Sequence, residues 1–74
     1  MLNACILLKT VQMRAEKILA AMKEYPEVKK AYLCYGRFDI VAFLEVKDYK
    51  DLRRLTGQIN SIDGVRSTET LVEA

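Results

Sequence analysis

The sequence predicts an α+β domain of ferredoxin-like order β-α-β-β-α-β, an antiparallel sheet carrying two helices on one face. Three observations predict it. Two unbroken apolar runs, residues 3–9 and 40–44, have the length and side-chain types of strands at a sheet centre. Two mixed, alternating segments, residues 28–35 and 65–72, suit the sheet edges. Two amphipathic stretches at helical spacing fall after the first and third of these four segments.

Taken in order, residues 3–9 open the sheet, and Thr10 stands where its hydroxyl can cap a helix. In that helix Val11, Ala15, Ile18, Leu19 and Met22 form one apolar stripe, with Arg14, Glu16, Lys17 and Lys23 on the other side. Met13 and Met22 read as packing residues rather than as a soft ligand surface. Tyr25-Pro26 ends the helix, because a residue before proline is pushed out of the α region. In the next strand Val28, Lys30, Tyr32 and Cys34 alternate with Lys29, Ala31, Leu33 and Tyr35, the lysines guarding an edge. Tyr32 and Tyr35 read as packing or interface residues. Gly36 reverses the chain, supplying φ > 0 at little steric cost.

The strand from Ile40 to Leu44 has five apolar residues without alternation and reads as covered on both faces. Asp48 caps the second helix, and Asp51 favours its positive end. Leu52, Leu55, Ile59 and Ile62 make its stripe. Gly57, at a cost of about 1 kcal/mol relative to alanine, is read as allowing close packing. Asp63-Gly64 turns the chain into the last strand, Val65–Val72.

Seventy-four residues make one small domain. Such a chain buries only about 60% of its unfolded surface, so a lone core is marginal. A hydrophobic content of 51% argues for further burial between subunits. With both helices on one face, the other would show water an apolar patch that soluble monomers rarely carry, so a sheet-against-sheet dimer is expected. Lys and Arg number 12 against 10 Asp and Glu, a net charge of +2 too even for a nucleic-acid or membrane footprint. No run approaches the roughly 18 apolar residues of a membrane span, and a cytoplasmic protein is expected. Cys5 and Cys34 lie in separate strand-like runs and read as buried free thiols. Without histidine or C-x-x-C, a zinc site lacks ligands. No metal or cofactor is expected.

The best candidate for a binding site is the loop at residues 36–39. It sets turn N–H groups, the cation of Arg37 and the carboxylate of Asp39 within one short segment, a combination suited to a zwitterion. Read individually, Asp39 serves as an acceptor within its own turn and Arg37 as a solvated cation.

Several features together resemble a known family. They are Pro26-Glu27-Val28, Tyr35-Gly36-Arg37-Phe38-Asp39-Ile40-Val41, Asp48 before the second helix, and Ile62-Asp63-Gly64-Val65-Arg66-Ser67-Thr68-Glu69-Thr70. In this order, over essentially the whole chain, they are similar to the effector (RAM) domain of Lrp/AsnC-type transcriptional regulators. Two departures stand out: Lys9-Thr10-Val11 lacks the glycine often found after the first strand, and no helix-turn-helix is present, as in a stand-alone form. The resemblance implies a dimeric α/β barrel-like pairing, with dimers assembling further into rings. It also implies a small amino-acid effector held between dimers, with full-length regulators of the family as partners and no direct DNA binding. Gly36, Arg37, Phe38 and Asp39 would line that cleft, joined by Thr68 and Thr70 from a neighbouring subunit. These two threonines share strand parity and so point to one side; read alone, they are good strand formers.

Three other classes compete. A small ferredoxin-like enzyme of the monooxygenase type would need an acid–base or nucleophile constellation, and the chain offers no histidine, no activated Ser or Cys constellation and no paired carboxylates at acid–base spacing. An RNA-binding domain shares the strand order, yet Asp39 and Ile40 stand where base-stacking residues would be. A purely structural oligomerisation module is compatible with effector binding. The expected reading is a non-enzymatic effector module.

Overall fold

The computed structural model describes all 74 residues. The elements are β1 (Leu2–Thr10), α1 (Ala15–Met22), β2 (Val28–Leu33), β3 (Ile40–Val46), α2 (Tyr49–Asn60) and β4 (Val65–Val72). The strands form one antiparallel sheet ordered β2-β3-β1-β4. The two continuous apolar runs thus take the centre and the two alternating segments the edges, as the sequence predicts. α1 packs against β2, and α2 against β4 and β3.

The core lies between the sheet and the helices. Ala4, Ile6 and Leu8 of β1 and Ile40, Ala42, Leu44 and Val46 of β3 point inward against Ile18 and Met22 of α1 and Leu52, Leu55 and Ile59 of α2. Each large aliphatic chain buried there contributes about 1.5–3 kcal/mol. α2 starts as expected: Asp48 sits in an extended conformation and its side chain accepts the Asp51 backbone N–H at 2.8 Å. β4 runs over the predicted residues.

Strand parity sends the alternate side chains the other way. Cys5, Leu7, Val41, Tyr32, Phe43 and Leu71 form an apolar patch on the face without helices, with Phe43 45%, Tyr32 50% and Leu71 53% exposed. Within one chain β3 is therefore covered on one face only, so its unbroken apolar run anticipates a cover the chain does not itself supply.

Five local expectations change. α1 begins at Ala15, with Arg14 at its N-cap and no side-chain cap. Val11 is exposed and belongs to a loop, because its N–H donates to the Gly64 carbonyl at 2.7 Å and Met13 takes φ 72°. β2 ends at Leu33 rather than reaching Tyr35, which is fully exposed. Gly57 has open space where a Cβ would stand, so close packing does not explain it. Cys5 and Cys34 are free and half-buried, not buried.

Candidate functional site

The turn between β2 and β3 is tied to the end of β1. The Cys34 N–H donates to the Asp39 carbonyl at 2.9 Å, and the Asp39 N–H donates to the Leu8 carbonyl at 2.8 Å. The Cys34 thiol donates to the Phe38 carbonyl at 3.3 Å. Gly36, at φ 120°, makes the reversal that a side chain would strain. Arg37 is exposed and makes no ion pair, while Phe38 is half-buried.

Asp39 does not serve its own turn with its carboxylate. Its Oδ2 accepts the Thr10 N–H at 2.8 Å and the Thr10 hydroxyl at 3.3 Å. Its Oδ1 makes no hydrogen bond within the chain and is not sealed from solvent. One oxygen is anchored and the other remains available.

Thr10, expected as a helix cap, instead closes β1. It is the one polar residue among the buried set, 8% exposed. Its partner lies 29 positions away, so no local pattern could pair them. The available signal is a threonine closing an apolar strand, where the hydroxyl must find an acceptor.

Thr68 and Thr70 do share a side, and it is the helix side. Leu8 pairs with both Ile40 and Thr68, and Ile6 with both Ala42 and Thr70. The threonines thus stand two strand spacings, about 10 Å, from β3. The Thr68 hydroxyl donates to Asn60 Oδ1 at 2.9 Å. No surface depression of the single chain is lined by Gly36, Arg37, Phe38, Asp39, Thr68 or Thr70. One chain does not bring the turn and the threonines into a common cavity.

At the opposite end of β3, Arg54 bridges Glu27 and Asp51, each at 2.8 Å. The hydrogen bond from Arg54 holds the Asp51 carboxyl below its ordinary value, and Asp51 and Glu27 push the guanidinium up. Burial raises the Cys5 thiol, which disfavours the thiolate and works against a nucleophilic role.

Comparison with known proteins supplies the family. The profile of the Lrp/AsnC ligand binding domain matches residues 3–73. The chain belongs to the Lrp/AsnC ligand binding domain family. The HTH-type transcriptional regulator FL11 of Pyrococcus furiosus is 28% identical over 69 residues, covering 93% of this chain and 46% of the regulator. The chain therefore spans about half the length of the curated relatives it matches. TTHA0845 from Thermus thermophilus is 33% identical with a TM-score of 0.95, covering 100% of this chain and 94% of that one. AsnC of E. coli is 26% identical with a TM-score of 0.89, covering 97% of this chain and 50% of that one. The Neisseria meningitidis transcriptional regulator NMB0573, solved as an L-Met complex, shares the fold at 20% identity and a TM-score of 0.87, covering 99% of this chain and 49% of its own.

Proposed function

We propose that this Lrp/AsnC ligand binding domain holds a small amino acid, or a related metabolite, between dimers and thereby modulates transcription through full-length regulators of the family. Dimers form sheet against sheet over the apolar face around Phe43, and pairs of dimers bring the turn at residues 36–39 of one subunit toward Thr68 and Thr70 of another. N–H groups of the turn and Arg37 take the α-carboxylate, Oδ1 of Asp39 takes the α-ammonium, and Phe38 flanks the site. The domain acts in the cytoplasm without catalysis, cofactor or direct contact with DNA.

The observation that carries this reading is the turn itself. In a domain of a ligand-binding family, an unpaired guanidinium and a free carboxylate oxygen stand two residues apart at the surface. The L-Met complex of NMB0573 concerns that protein; it supports an amino acid as the class to try first.

A thermal-shift screen against the twenty amino acids tests the proposal. A ligand at about a hundredfold its dissociation constant adds about 2.7 kcal/mol, which raises the melting temperature of a domain this size by roughly ten degrees or more. A melting point that none of the twenty moves refutes amino-acid binding. The apolar face separately favours a purely structural oligomerisation module: the same flat screen on a stable, fixed-size oligomer would support it.

A further inference from the structure

We propose that Thr10 is a positioning residue of the effector site. The inference deepens the effector reading above and rests on it, since it concerns how Asp39 is presented. Thr10 closes β1 beside the turn and is the one buried polar residue of the chain. Both of its donors go to the same atom: the backbone N–H at 2.8 Å and the hydroxyl at 3.3 Å converge on Oδ2 of Asp39. An aspartate on a surface turn is ordinarily free to rotate. With Oδ2 held at two points, the carboxylate is fixed and Oδ1 is left as its only unoccupied oxygen.

Fixing a ligand-binding group before the ligand arrives removes an ordering cost from binding. The anchor is itself well secured. The Val11 N–H, next in the chain, donates to the Gly64 carbonyl at 2.7 Å, and Arg14 pairs with Asp63 at 2.7 Å. The loops after β1, β2 and α2 are thus joined at one end of the sheet, with Thr10 as the link to Asp39. Isoleucine or valine at position 10 would continue the apolar run just as well for the core, and would leave the carboxylate held by one bond instead of two.

The test compares Thr10→Val, which removes only the hydroxyl, with Thr10→Ser, which keeps it. The first readout needs no ligand: NMR couplings of the Asp39 β-protons. A single rotamer in the wild type and in Thr10→Ser, with rotamer averaging in Thr10→Val, supports the proposal. A single rotamer in Thr10→Val overturns it. The second readout is calorimetric titration with L-methionine and with any amino acid that scores in the thermal screen. The cost of ordering a released side chain on binding predicts an affinity up to about tenfold lower in Thr10→Val, restored in Thr10→Ser. Equal affinity in all three proteins overturns the proposal. If no amino acid binds the wild type, the effector reading fails, while the couplings still decide whether Thr10 fixes Asp39.

Discussion

Replacing Phe43 by glutamate should dissolve the proposed dimer while leaving the subunit folded. Phe43 points away from the helices, opposite Cys5 on β1 and Lys30 on β2, and keeps 45% of its surface. For an aromatic that buries about 200 Å² when covered, roughly 90 Å² remains to be covered by a second sheet. At about 25 cal/mol per Å² this is about 2 kcal/mol per subunit, and about 4–5 kcal/mol for a symmetric pair. Since each 1.4 kcal/mol is about tenfold in affinity, removing the aromatic from both copies weakens association by about a thousandfold. The two glutamates add the cost of bringing unpaired carboxylates together in an apolar interface. Sedimentation velocity at tens of micromolar should show a wild-type dimer or larger species and a monomeric Phe43→Glu protein with unchanged far-UV circular dichroism. A wild-type monomer, or a variant of unchanged size, would refute the reasoning about this face.

Three further predictions concern the subunit. Gly64→Ala puts a Cβ on a residue at φ 100°, 3.1 Å from Ile18 Cδ1 and 3.3 Å from Arg14 Cβ; a loss of about 1–3 kcal/mol is expected, and an unchanged melting temperature would contradict it. Gly57→Ala lies on the exposed side of α2 with open space at its Cβ, so it should stabilise by about 0.5–1 kcal/mol in urea titrations; destabilisation would mean that the glycine has a contact beyond the single chain. Asp51→Asn tests the pairing with Arg54. Because the folded carboxyl lies below its ordinary value of 3.8, its contribution is present above that value and is lost as pH falls through the lower folded one. The gap between wild-type and variant melting temperatures should therefore be widest near neutrality and close in strong acid; a gap independent of pH would contradict the pairing.

The fold was legible because each element carries its own local pattern. Leu52, Leu55 and Ile59 of the α2 stripe, the Asp48 cap and the Asp63-Gly64 turn are local devices that stand where the pattern places them, while Ile62, the stripe's last expected member, falls beyond the end of α2 at Asn60. The strand order followed from the contrast between unbroken and alternating runs. The segment after β1 was not legible. Val11 continues the apolar spacing of α1, but its N–H is committed to Gly64 across the fold and Met13 breaks the helix with a left-handed conformation. The site divides in the same way. The turn at residues 36–39 is visible as a string of residue types, whereas the hold of Thr10 on Asp39 and the helix-side placement of Thr68 and Thr70 depend on pairing across strands. Spacing within one strand shows that the two threonines share a side but not which side it is.

If a neighbouring subunit completes the site, amino-acid binding and assembly are one event. Sedimentation velocity of the wild-type protein, with and without each amino acid that raises its melting temperature, tests this most directly. Such an amino acid should move dimers toward larger assemblies, and Asp39→Ala should abolish the shift. An amino acid that binds with full affinity to an isolated dimer, without changing its size, would contradict it.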